Sequence, residues 1–100
     1  MQRRPMETAT PLRVREARVA SVQVRLFAAA REAAGRADDT LDAATLGDAL
    51  DRTRAAYGPA FAAVLDTARV WVNGDEPEQG DATVLVDGDE VAVLPPVSGG

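Results

Sequence analysis

The chain contains no cysteine, no histidine and no lysine. The lack of cysteine removes disulfides, thiolate nucleophiles and soft metal ligands together. The lack of histidine removes the side chain that most often titrates near neutrality, so a self-contained acid–base enzyme would need strongly perturbed carboxylates. A protein of this composition that takes part in chemistry does so as a reactant. Long apolar runs are missing too: none approaches the length of a transmembrane helix. Arg3-Arg4 could open an export signal, but no apolar h-region follows. A cytoplasmic protein with no membrane partner is expected.

What remains is one hundred residues, 46% of them hydrophobic, which suits one small domain with a single core. All eleven basic residues are arginine. Five of them, Arg3, Arg4, Arg13, Arg15 and Arg18, lie in the first twenty positions against only Glu7 and Glu16, a net charge of +3. Residues 21–100 carry the other six arginines against fourteen acids, a net charge of −8. That surface argues against nucleic-acid binding by the body and suits a partner with a basic face, with solubility as the simpler role.

Residues 1–20 hold Pro5 and Pro11, scattered charge and no apolar period, which predicts a mobile extension. Ser21 to Phe27 alternates, with Val22, Val24 and Leu26 on one face, and predicts a central first strand. Ala28 to Ala34 is strong helix former ending at Gly35. Arg36 to Leu41 returns as a second strand, and Asp38 and Asp39 assign it to an edge or an exposed face. Thr45 with Asp48 resembles a capping box and starts a longer helix. Leu46, Ala49, Leu50, Thr53 and Tyr57 form its buried stripe, and Gly58-Pro59 stops it.

Pro59 opens a further short helix with Phe61, Val64 and Leu65 inward. Arg69 to Val72 is a strand, Asn73-Gly74 a hairpin turn, and Asp75 to Asp81 a polar loop. Thr83 to Val86 is a short strand or an apolar turn. Asp87-Gly88-Asp89 turns into the final strand, Glu90 to Leu94; it lacks the ligand spacing of a calcium-binding loop. Tyr57, Phe61 and Trp71 fall on apolar faces and are expected in the core. The order predicts an α+β roll: a mixed sheet wrapped around one main helix, with the first and last strands adjacent at its centre. The body spans residues 21–96.

The final strand runs straight into Pro95-Pro96, which cannot continue a sheet ladder. Beyond them lie only Val97, Ser98, Gly99 and Gly100. At roughly 3.3–3.6 Å per residue this tail can project on the order of 13 Å, enough to probe another protein's cleft. A terminal Gly-Gly alone is weak evidence, since chain ends are usually disordered; its place directly after a strand and a stiff Pro-Pro strengthens it. Phe27, Pro95, Pro96 and Val97 could form an apolar docking patch around the tail's exit, with a core position the alternative for Phe27.

Three stretches carry a resemblance: Val24-Arg25-Leu26-Phe27-Ala28-Ala29-Ala30-Arg31-Glu32, Val72-Asn73-Gly74, and Asp87-Gly88-Asp89-Glu90-Val91-Ala92-Val93-Leu94-Pro95-Pro96-Val97-Ser98-Gly99-Gly100. Together they resemble the MoaD/ThiS family of ubiquitin-like sulfur carriers, and within it the MoaD type, over residues 21–100. The resemblance implies a β-grasp fold with a protruding tail and no cofactor or metal held by this chain. It implies that an ATP- and Mg-using, MoeB-type adenylyltransferase joins Gly100 to AMP, and that sulfur from a persulfide donor displaces AMP to leave a thiocarboxylate. The tail would then enter a MoaE-type large subunit of molybdopterin synthase and deliver sulfur to a cyclic pterin phosphate precursor.

Glycine at 99 and 100 suits that scheme, because a channel that excludes water around an acyl adenylate leaves little room for a Cβ. Three alternatives stand beside it. One is a carrier of the same fold serving thiamine, cysteine or another thio-product. A second is a ubiquitin-like modifier joined through Gly100 to target lysines, unable to build chains on itself for want of lysine. The third is a β-grasp binding module with an inert tail.

Overall fold

A computed structural model describes residues 19–96. Its elements are β1 (Ala20–Leu26), α1 (Ala28–Ala34), β2 (Asp38–Ala43), α2 (Leu46–Tyr57), α3 (Pro59–Leu65), β3 (Arg69–Val72), a 3-10 turn (Gly80–Ala82) and β4 (Glu90–Leu94). The four strands form one mixed sheet in the order β2-β1-β4-β3. β1 and β4 run parallel at its centre, with Val24 opposite Val91 and Leu26 opposite Val93. β2 and β3 are antiparallel edges. This is the expected α+β arrangement with the first and last strands as neighbours.

Alternation along the strands divides the sheet into two faces. On the inner face Val22, Val24 and Leu26 of β1 and Val91 and Val93 of β4 are buried, and they meet Leu46, Ala49 and Leu50 of α2 and Phe61 and Leu65 of α3. Burial of an aliphatic or aromatic side chain of this size contributes roughly 1.5–3 kcal/mol each. Phe61 stacks edge-on to Tyr57, ring centroids 5.1 Å apart. Thr53 is the one buried polar residue among those described, and its hydroxyl donates to Leu50 O at 2.6 Å.

The start of α2 follows from its cap. Thr45 Oγ1 accepts from Asp48 N–H at 3.1 Å. Asp48 Oδ2 accepts not from Thr45 but from Ala44 N–H at 3.0 Å, so the reciprocal bond of the box falls one residue earlier. Gly58, at φ +95, ends the helix, and Pro59 begins α3 at its first turn.

Two boundaries differ from the sequence reading. β1 begins at Ala20, one residue before Ser21, because Ala20 is buried opposite Ala43. β2 spans Asp38–Ala43, two residues later than Arg36–Leu41, because Gly35 takes a left-handed φ of +78 and the chain needs Arg36 and Ala37 to return. The shift keeps strand parity, with Asp39, Leu41 and Ala43 on the inner side and Asp38, Thr40 and Asp42 outside. Asp39 is tolerated there because Tyr57 O–H donates to its Oδ2 at 2.7 Å and Arg36 lies at 3.1 Å.

Candidate docking surface at the tail exit

The outer face of the sheet is uncovered by helices, and its composition changes along the strands. Around the start of β1 it carries Ser21, Asp42, Gln23, Thr40 and Glu90. Towards the C-terminal ends of the two central strands it carries Ala92, Leu94, Trp71 and Phe27. Register brings these together: Trp71 lies opposite Ala92, Arg69 opposite Leu94, and Leu26 opposite Val93, so Phe27 follows beside Leu94. Phe27 is 41% exposed and Trp71 38%. Pro95 is half-buried and Pro96 exposed where the chain leaves this end of the sheet. The result is an apolar patch beside the tail's point of departure.

Phe27 therefore stands on the exposed outer face and not in the core. Its backbone is held twice: N–H donates to Val93 O at 3.3 Å as the last rung of the parallel ladder, and its O accepts from Ala30 N–H at 3.0 Å. Between these bonds the chain reverses at Ala28, whose φ of +51 lies in the left-handed region. That conformation costs an alanine about 1–2 kcal/mol. Strain of this kind tends to collect at functional surfaces. Arg25 and Glu90 close the polar border of the patch with an ion pair at 2.8 Å, both side chains largely exposed.

Trp71 corrects the sequence reading, which put it in the core. Val70 and Val72 take the helix side of β3, so the residue between them must face outward. The sequence reading had taken Trp71 itself to fall on the apolar face. Leu94 was likewise read only as strand, and the signal for it was its parity with Glu90 and Ala92. Pro95 and Pro96 sit where expected. Val97, Ser98, Gly99 and Gly100 lie outside the described residues.

The perturbed titratable groups lie elsewhere. Tyr57 O–H bonding holds the Asp39 carboxyl below its ordinary value of 3.8, with burial opposing and Arg36 assisting. Burial raises the Tyr57 hydroxyl, and the neighbouring Asp39 charge raises it further. Arg36 also lies 5.6 Å from the centre of the Tyr57 ring. This cluster ties β2 to the end of α2 and belongs to the inner side of the far edge strand. Among the described residues no group of three or more acidic side chains is placed to hold a metal ion. No helix among them is long and apolar enough to cross a membrane.

Comparison with known proteins matches residues 24–100 to the ThiS family. A molybdopterin synthase sulfur carrier subunit from Chlamydomonas reinhardtii is 39% identical over 82 residues, 79% of this chain and 98% of that protein. Small archaeal modifier protein 1 from Methanosarcina acetivorans has a similar solution structure, with a TM-score of 0.76 at 33% identity over 84% of this chain and 100% of that one. A chain in the complex of subunits 1 and 2 of the molybdopterin-converting factor from Helicobacter pylori gives a TM-score of 0.60 at 25% identity over 80% of this chain and 99% of that one.

Proposed function

The chain belongs to the ThiS family, the ubiquitin-like, β-grasp sulfur carriers of the MoaD/ThiS type, and from that premise we propose that it is the sulfur-donating small subunit of a molybdopterin synthase. Gly100 is the reacting residue. Its carboxylate, with an ordinary pKa near 3.3–3.7, is ionised at neutral pH and a poor electrophile, so it needs activation. A MoeB-type enzyme supplies it with ATP and Mg: a carboxylate oxygen attacks the α-phosphorus, pyrophosphate leaves, and an acyl adenylate forms. Sulfur from a persulfide donor attacks the acyl carbon and AMP departs. Reductive release from the donor, by a thiol, leaves the thiocarboxylate on Gly100.

No side chain of this chain is asked to move a proton or form a bond in that scheme. Its residues bind and aim. Phe27, Trp71, Ala92 and Leu94 form the apolar contact on a MoaE-type large subunit, Pro95 and Pro96 stop the sheet and launch the tail, and Val97, Ser98, Gly99 and Gly100 thread the partner's channel. The cytoplasm is the setting, and a cyclic pterin phosphate the acceptor.

The observation that carries the molybdopterin role is the 39% identity across nearly the whole of a molybdopterin synthase sulfur carrier subunit. The test incubates the chain with its activating enzyme, ATP and a sulfide source and reads the intact mass for replacement of one oxygen by sulfur. The loaded chain, mixed with a MoaE-type subunit and the pterin precursor, then returns to the carboxylate form as sulfur is transferred. A second reading has its own support: the 33% identity and TM-score of 0.76 to a small archaeal modifier favour attachment of Gly100 to target lysines. Conjugates heavier than the free chain in cells, in place of the thiocarboxylate, would select it.

A further inference from the structure

The uncovered face of the sheet carries a cation that no acid of the body answers. Arg25 lies 2.8 Å from Glu90, Arg36 3.1 Å from Asp39, Arg52 3.3 Å from Asp48 and Arg54 3.0 Å from Asp51. Among the described residues, Arg31 and Arg69 are the arginines without a carboxylate at ion-pair distance. Arg31 belongs to α1, and Arg69 to the sheet. Residues 21–100 hold fourteen acids against six arginines, so an unpaired arginine here is not for want of acids in the chain. It is set by position.

Arg69 opens β3 with the outward parity of Trp71, and register places it opposite Leu94, the last strand residue before Pro95. Residues directly opposite on one face have Cβ atoms about 4.5–5.5 Å apart. Phe27, Leu94 and Arg69 therefore form the row at the end of the sheet where the chain leaves, with Ala92 and Trp71 in the row before it. Arg69 is exposed, so its stem can shelter apolar surface while its guanidinium stays in water. At the other border of the patch the Arg25 charge is already neutralised by Glu90. One charge is left over, and it stands at the tail exit.

A planar guanidinium takes a carboxylate bidentately and is enriched at protein contacts. Stripped of water without an acceptor, it would weaken the contact it enters. A partner suited to this acidic body presents a basic face, and a basic side chain set against Arg69 would be repelled. The complementary surface therefore has to interrupt its basic run with an acid at this point.

We infer that Arg69 is the charged anchor of the docking face and pairs with an Asp or Glu carboxylate of the large subunit. The inference rests on the docking role proposed above, and it adds the residue and the partner chemistry that fix the contact at the tail exit.

The test measures binding kinetics of full-length wild type, R69M, R69E and R52E to a MoaE-type subunit. R69M should dissociate roughly 10–100-fold faster than wild type, the worth of one hydrogen-bonded charge pair, with its association rate little changed. Its melting temperature should match wild type, since Arg69 makes no ion pair within the body. R69E should bind more weakly still, and one acid-to-arginine substitution on the large subunit should restore it. R52E alters the net charge by the same amount from α2, which covers the opposite face of the sheet, and should dissociate as wild type does. Wild type that fails to bind the subunit would overturn the docking role itself. Wild type that binds, with R69M dissociating at the same rate, would overturn the Arg69 pairing alone. So would equal losses in R52E and R69E, which would make the effect one of overall charge, or the lack of any acid on the subunit whose reversal rescues R69E.

Discussion

The two faces of this sheet are made by the same strands, residue by residue in alternation, and they meet opposite surroundings. On the inner side Val22, Val24, Leu26, Val91 and Val93 are shielded by α2 and α3, and their packing supplies the stability of the body. On the outer side, one residue along in each strand, Phe27, Trp71, Ala92 and Leu94 are left partly bare beside the departing tail. Apolar area removed from water on folding stabilises the chain; apolar area kept in reserve is removed from water only when a partner arrives. Substitutions on the two faces should therefore separate stability from association.

The largest separation is expected beyond both faces. Deleting Gly100, or adding a residue after it, should abolish sulfur loading by mass spectrometry while leaving the melting temperature unchanged, because the core lies within residues 20–93. Sulfur acquired by a C-terminally extended chain would break the carrier reading. Within the inner face, Phe61→Ala removes a fully buried ring and its edge-on contact with Tyr57. It should cost about 3–5 kcal/mol in denaturant unfolding, with the sulfur-accepting ability of the folded fraction preserved.

On the outer face the signs reverse. Trp71→Ala should weaken binding to a MoaE-type subunit by about 2 kcal/mol, near thirtyfold, and Phe27→Ala should act alike, each changing unfolding stability by less than about 1 kcal/mol. Equal affinity of both variants and wild type in calorimetry would remove the patch from the interface. Ala28→Gly should do the opposite of a damaging change. It relieves the left-handed strain at φ +51, less the entropy glycine adds to the unfolded chain, for a net gain of up to about 1 kcal/mol. A loss of stability would show that the Ala28 methyl packs usefully.

The smallest effect is electrostatic. The folded-state value of Asp39 is depressed, so its contribution is present above about pH 3.8 and is lost as the pH falls below that. Tyr57 is raised above its ordinary 10.0, so its contribution is present below pH 10 and is lost as the pH rises beyond it. Tyr57→Phe should lower the plateau between the two limbs and so flatten both of them in a stability profile measured by denaturant titration, because what the limbs lose is what the plateau holds. Unchanged limbs would show that other groups govern the pH response.

Local order was legible in the chain because its signals are local. Alternation identified β1, an apolar run stopped by Pro95-Pro96 identified β4, the Thr45 and Asp48 pair marked the start of α2, and Gly35 and Gly58 marked helix ends. What sequence could not decide was which of two positions, core or exposed, an apolar residue would take. Phe27 and Trp71 each had a core reading of equal or greater weight, and only the pairing of β3 with β4, far apart in the chain from β1, placed them on one uncovered face. The displacement of β2 by two residues has the same origin, since its register answers to Ala43 meeting Ala20 and to Asp39 meeting Tyr57. Propensity, capping and turn chemistry act within a few residues and can be read along the line; which side of a strand is covered depends on helices that arrive from elsewhere, and that is settled only when the whole sheet is assembled.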